Sequence, residues 1–112
     1  MKMIEIARKK KDEKMLLRVA TIRKQRDVKC GEAVRIAKEV ELLITLMRHE
    51  VVGFTFMKQN GDPCHVRGTL KDYWNAFKYY YFAKANNRFV VYYDLDAKAW
   101  RTFQAAFLMR ID

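Results

Sequence analysis

Two β-rich runs near the C-terminus constrain the fold of this chain more than any other feature. Phe89-Val90-Val91-Tyr92-Tyr93-Asp94 places large β-formers on both faces, the pattern of a strand buried on one side and partly covered on the other. Asp94-Leu95-Asp96-Ala97-Lys98 is a short polar link, and Ala99-Trp100-Arg101-Thr102-Phe103 resumes the strand pattern. Such runs joined by a few turn residues form a β-hairpin. Trp100 and Thr102 then face one way, Arg101 and Phe103 the other. Trp100, beside the small Ala99, is the expected core anchor, and Arg101 is held among aromatics where it can meet a phosphate or a carboxylate bidentately.

A second hairpin precedes it. In the run 50–58, Val52, Phe54 and Phe56 alternate with Val51, Gly53, Thr55 and Met57. Asn60-Gly61 is a strong short turn signal because both positions favour positive φ. Pro63 opens the next strand, where its missing donor does least harm. Cys64, Val66 and Gly68 share one face of that strand, and glycines within strands mark bends of the kind a small barrel needs.

The segments Phe54-Thr55-Phe56, Asn60-Gly61-Asp62, Arg67-Gly68-Thr69-Leu70, Tyr93-Asp94, Asp96 and Ala99-Trp100-Arg101-Thr102-Phe103 together resemble a bacterial and phage family. It is the Sm-like SH3 β-barrel family of unknown function related to WYL domains. The resemblance covers about Val51 to Ile111. It implies a small antiparallel barrel, and phage or mobile-element ancestry would suit it. In WYL domains a Trp-Tyr-Leu triad and an Arg in the following strand line a nucleotide-type ligand site. This chain has Arg88-Phe89-Val90 at the triad positions, and Arg101 is the residue that carries over.

Ahead of the strands the chain reads as helix. Residues 1–27 lack Gly and Pro, and Met15, Val19 and Ile22 form one apolar stripe among Lys and Arg. Cys30-Gly31 is the expected break. Ile36, Val40, Leu43 and Met47 then mark a second amphipathic helix from Glu32 to about Arg48. Between the hairpins, seven of the ten residues Tyr73 to Phe82 are aromatic, interleaved with Lys71, Lys78 and Lys84. Read helically, Tyr73, Phe77 and Tyr80 make one stripe, and one face cannot bury all seven rings. The expected architecture is therefore α+β. Two N-terminal helices (1–50) precede an SH3-like antiparallel barrel (51–112) with a helical, aromatic-rich insertion at 71–87.

Charge narrows the function. The chain carries 23 Lys and Arg against 13 Asp and Glu, net +10, and residues 1–30 alone hold 11 basic and 4 acidic side chains. Concentrated positive charge with interleaved aromatics suits nucleic acid, DNA or RNA. The expected contacts are Arg101, Arg67 and Arg88 on the barrel, Lys78 and Lys84 on the insertion, and Lys9, Lys10, Lys11 and Lys14 on the first helix. Tyr73, Trp74 and Tyr81 are the expected stacking rings. The alternative is a protein–protein adaptor or self-associating module using the 36–47 stripe and the 73–82 aromatic segment.

No enzymatic motif is present: no Gly-rich phosphate loop, no nucleophile elbow, no HExxH. Cys30, His49, Cys64 and His65 have no zinc-finger spacing, so no metal or cofactor is expected. Asp94 and Asp96 read as turn caps rather than a cation site. The N-terminal residues carry charge throughout and no apolar run approaches the length of a membrane span, which predicts a cytoplasmic protein without membrane contact.

Overall fold

A computed structural model describes the backbone of residues 3–78, 81, 84 and 87–112, with side chains from residue 12 onward among them. Helix α1 (Met3–Gln25) and helix α2 (Cys30–Met47) are followed by strands β1 (Val52–Met57) and β2 (Pro63–Thr69). A short helix α3 (Tyr73–Phe77) leads to β3 (Phe89–Asp94) and β4 (Ala99–Gln104). A 3-10 turn, Ala105–Phe107, then joins β4 to β5 (Leu108–Ile111). The strands form one antiparallel sheet in the order β4-β3-β2-β1-β5. The helices and sheet match the α+β, SH3-like architecture expected from the patterning together with the family resemblance.

The alternation read from β1 and β2 holds. Phe54 pairs with Val66 and Phe56 with Cys64, and Phe54 is fully buried. The inner face of the sheet is an aromatic cluster. Phe54 meets Tyr92 edge-on at 5.3 Å, and Phe56 stacks on Phe103 at 5.2 Å. Gly68 sits beneath this cluster: a Cβ there would lie 2.9 Å from Tyr92 Cδ2 and 3.0 Å from Phe54 Cε1. Both are ring atoms of buried side chains with nowhere to move. Gly68→Ala should therefore destabilise by about 1–3 kcal/mol through overpacking. Thermal unfolding of the variant checks this, and an unchanged melting temperature would show that the rings yield.

The stripe on α2 is core. Ile36, Ala37, Val40, Leu43, Ile44 and Met47 are all buried, and they share one apolar cluster with Val19 and Ile22 of α1 and with the strands. That face is covered by the chain's own barrel, so it does not serve the adaptor alternative. Polar side chains complete the docking of α1. Arg18, 1% exposed, donates Nε and Nη2 to Glu41 Oε1 of α2 and Nη1 to the Asn87 carbonyl. Gln25 Nε2 donates to the Arg88 carbonyl and to Gln104 Oε1, and Arg26 donates to the Ala106 carbonyl.

Three local expectations are corrected. The helix break falls at residues 26–29, and Gly31 lies in the first turn of α2 with open space around it, where unpaired helical N–H groups make glycine cheap. The first hairpin is not a two-residue turn. Met57 pairs with Pro63, Gly61 N–H bonds the Lys58 carbonyl, and Gly61 alone takes positive φ (89°) while Asn60 does not. Asn60 instead accepts the Asp62 N–H on its side chain. Among the described residues of the insertion, helix is confined to Tyr73–Phe77, because Lys78 turns left-handed (φ 63°) and closes α3 with a bond to the Trp74 carbonyl.

Candidate nucleic-acid interface

The β3–β4 hairpin forms as expected, in register from Phe89↔Gln104 to Asp94↔Ala99, with Lys98 left-handed (φ 55°) at the end of the link. Asp94 is buried at the turn. One carboxylate oxygen accepts the N–H groups of Asp96 and Ala97, an Asx turn that fixes the loop. The other carboxylate oxygen lies 3.7 Å from Arg101 Nε. Arg101 stands opposite Tyr92, so Asp94 is its diagonal cross-strand neighbour, an acidic partner that spacing along one strand does not reveal. Arg101 remains more than half exposed. Arg67, on the opposite face of β2 from Val66, donates to Asp96 Oδ1 at 2.9 Å, and that hydrogen bond raises its pKa. The turn acids thus engage both arginines. Burial, with Asp94 nearby, pushes the Tyr92 hydroxyl up to about 12, so it stays neutral at physiological pH.

Trp100 is not the core anchor. It lies half-buried on the outer face of β4, edge-on to Tyr93 at 5.3 Å, to Tyr73 at 5.5 Å and to Phe77 at 5.1 Å. Its strand neighbour Phe103 fills the inner core instead. The insertion packs on this outer face. Tyr73 is buried and packs at a tilt against the rings of Phe77 and Tyr81. Tyr81 is partly buried. Its hydroxyl accepts the Val91 N–H at 3.3 Å, and burial is the main reason its pKa is raised. Tyr73 and Tyr81 are therefore packing residues rather than exposed stacking platforms. Trp74 is 48% exposed and Phe77 38% exposed, on the helix turn that also leads into Lys78. Tyr79, Tyr80 and Phe82 lie outside the described residues.

Lys78, Lys84 and Arg88 are exposed, and none has an acidic partner among the described residues. Lys14 pairs with Glu41 at 3.3 Å, which ties it to the helix interface. The Lys9, Lys10 and Lys11 side chains lie outside the described residues, although their backbone is helical. Arg88 lies apart from the arginines of the hairpin turn: its carbonyl accepts Ala105 N–H and Gln25 Nε2 beside the 3-10 turn. There a cleft of about 690 Å³ opens between the β1–β2 turn and the end of β4. Phe56, Phe89, Phe103 and Phe107 wall it and Lys58 and Gln104 line it, with no carboxylate among its lining residues. Sequence reasoning missed this cleft because its walls come from four separate elements. Phe89, adjoining Arg88, is the one signal that pointed there.

A strand order of β4-β3-β2-β1-β5, with a 3-10 turn between β4 and β5, is the topology of an SH3-like barrel. The model of the WYL_2 family, described as an Sm-like SH3 β-barrel fold, matches residues 40–109. The chain belongs to that family. The matched unit begins inside α2, so the second half of that helix is part of the family's fold while α1 precedes it. No curated protein and no solved structure matches the chain. Among the described residues, no helix is long and apolar enough to cross a membrane.

Proposed function

We propose that this family member is a non-enzymatic accessory or regulatory protein that binds nucleic acid, single strands in preference to duplex. One observation carries the reading. From Tyr73 to Tyr93 the chain contains no acidic residue, yet it carries Lys78, Lys84 and Arg88 together with the exposed rings of Trp74 and Phe77. Several arginines elsewhere have acidic partners: Arg35 with Glu32, Arg67 with Asp96, Arg110 with Asp112. Cations and exposed aromatics carried by one acid-free segment suit a strand whose phosphates follow the lysines while a base stacks on a ring. A duplex hides its base faces and offers only the phosphate term.

Titration against labelled single- and double-stranded oligonucleotides at two salt concentrations tests the reading. Single-strand affinity should fall with salt at about −0.7 per phosphate on a log–log plot, so Lys78→Gln with Lys84→Gln should flatten the slope by about 1.4. Trp74→Ala should weaken binding by about 1–3 kcal/mol with the slope unchanged, because stacking carries no counterion term. Absence of binding at low salt would overturn the proposal.

A further inference from the structure

The two outer strands of the sheet are treated differently. β5 packs against α2. Among the described residues β4 has no such packing along its outer edge, and its hydrogen-bonding direction follows from its neighbour. Val91 N–H bonds the Tyr81 hydroxyl and Arg88 carbonyl bonds Ala105 N–H, so the even-numbered residues of β3 carry the ladder to β4. In an antiparallel pair, residues opposite a non-bonded position turn their N–H and C=O groups outward. Opposite Tyr93, Val91 and Phe89 stand Trp100, Thr102 and Gln104. The backbone N–H and C=O groups of Trp100 and Thr102 and the N–H of Gln104 face this edge, while the Gln104 carbonyl caps the 3-10 turn, and none of these outward groups meets a strand partner among the described residues. The insertion covers the neighbouring edge of β3 through Tyr81, whose hydroxyl accepts the Val91 N–H.

Beside this edge lies the aromatic-walled cleft, lined by Thr102, Phe103 and Gln104 of β4 itself. We propose that β4 and the cleft take an extended peptide of an acidic partner protein by strand addition, a role independent of nucleic-acid binding. The outward N–H and C=O groups supply the main-chain bonds, and the phenylalanine walls receive alternate side chains of the added strand. Charge selects the partner. Lys58 lines the cleft, Lys98 leads into β4, Arg101 is more than half exposed, and no carboxylate lines the cleft.

A labelled peptide of alternating valine and glutamate, about eight residues long to span β4, provides the probe. On binding, amide exchange at Trp100, Thr102 and Gln104 should slow by about tenfold or more, with the even-numbered β3 amides unchanged. The lysine counterpart, and the glutamate peptide N-methylated at alternate residues, should give no protection. Thr102→Pro removes one outward donor at an edge where proline is tolerated, and should abolish binding. If that variant loses its fold, the N-methylated peptide still decides. Equal binding of the lysine peptide, binding without protection of those three amides, protection that grows with protein concentration alone, or the same protection from a thymidine oligonucleotide would each overturn the proposal.

Discussion

Phe103→Ala is expected to cost about 3–5 kcal/mol, a large part of the stability of a domain this size. Phe103 is 3% exposed and touches three rings, with centroids 5.3 Å from Phe54, 5.2 Å from Phe56 and 5.9 Å from Tyr92. Its removal leaves a cavity in the middle of the inner cluster. Trp100→Ala, three residues earlier, removes a larger side chain from a half-buried position on the outer face, where water and the adjoining insertion can move in. That change should cost about 2 kcal/mol and loosen the insertion before the barrel. Urea unfolding of both variants checks the order. If Trp100→Ala proved the more damaging, the assignment of inner and outer faces would be wrong.

Glu41→Ala should be nearly as damaging, at about 3 kcal/mol, because it strands a buried charge. Arg18 has a 1% exposed side chain held by two bonds to Glu41 Oε1, while Glu41 itself is 23% exposed. Removing the acid takes from a guanidinium held out of water the carboxylate that Glu41 supplies, the costly half of any buried pair, while the bond to the Asn87 carbonyl stays. Arg18→Met should be much milder. It replaces the cation with an apolar chain of similar length, and Glu41 keeps both solvent and Lys14 at 3.3 Å. The asymmetry is the test: equal losses from the two substitutions in a melting experiment would mean that Arg18 is solvated and α1 is held by its apolar stripe alone.

The inner half of the fold is legible in sequence because one period describes each element. Val52, Phe54 and Phe56 point inward as alternation requires, and Ile36 to Met47 recur at helical spacing and are buried. Helix ends are less legible. Gly31 marks the α1–α2 break only loosely: a glycine just beyond a helix end takes positive φ, whereas Gly31 sits inside the first turn of α2 without it, and the two read alike in sequence. The faces of Trp100 and Phe103 were separable by alternation, but which face is the core was not. Both faces carry aromatics, and what covers the outer one is a segment twenty residues upstream. The site residues divide in the same way. Lys78, Lys84, Arg88 and Trp74 remain exposed, whereas Tyr73 and Tyr81 pack against the sheet. The pairing of Arg101 with Asp94 and of Arg67 with Asp96 needs a cross-strand register, which single-strand spacing does not supply.

The most direct test of the nucleic-acid reading uses Trp74 as its own reporter. The chain has two tryptophans, so Trp100→Phe leaves Trp74 as the sole indole while keeping an aromatic ring at position 100. Adding a single-stranded thymidine oligonucleotide should quench Trp74 emission to saturation. The midpoint should weaken on the order of tenfold between low and physiological salt if about three phosphates are neutralised. A matching duplex should bind without comparable quenching. Emission from Trp74 that ignores the single strand, or binding indifferent to salt, would contradict the account.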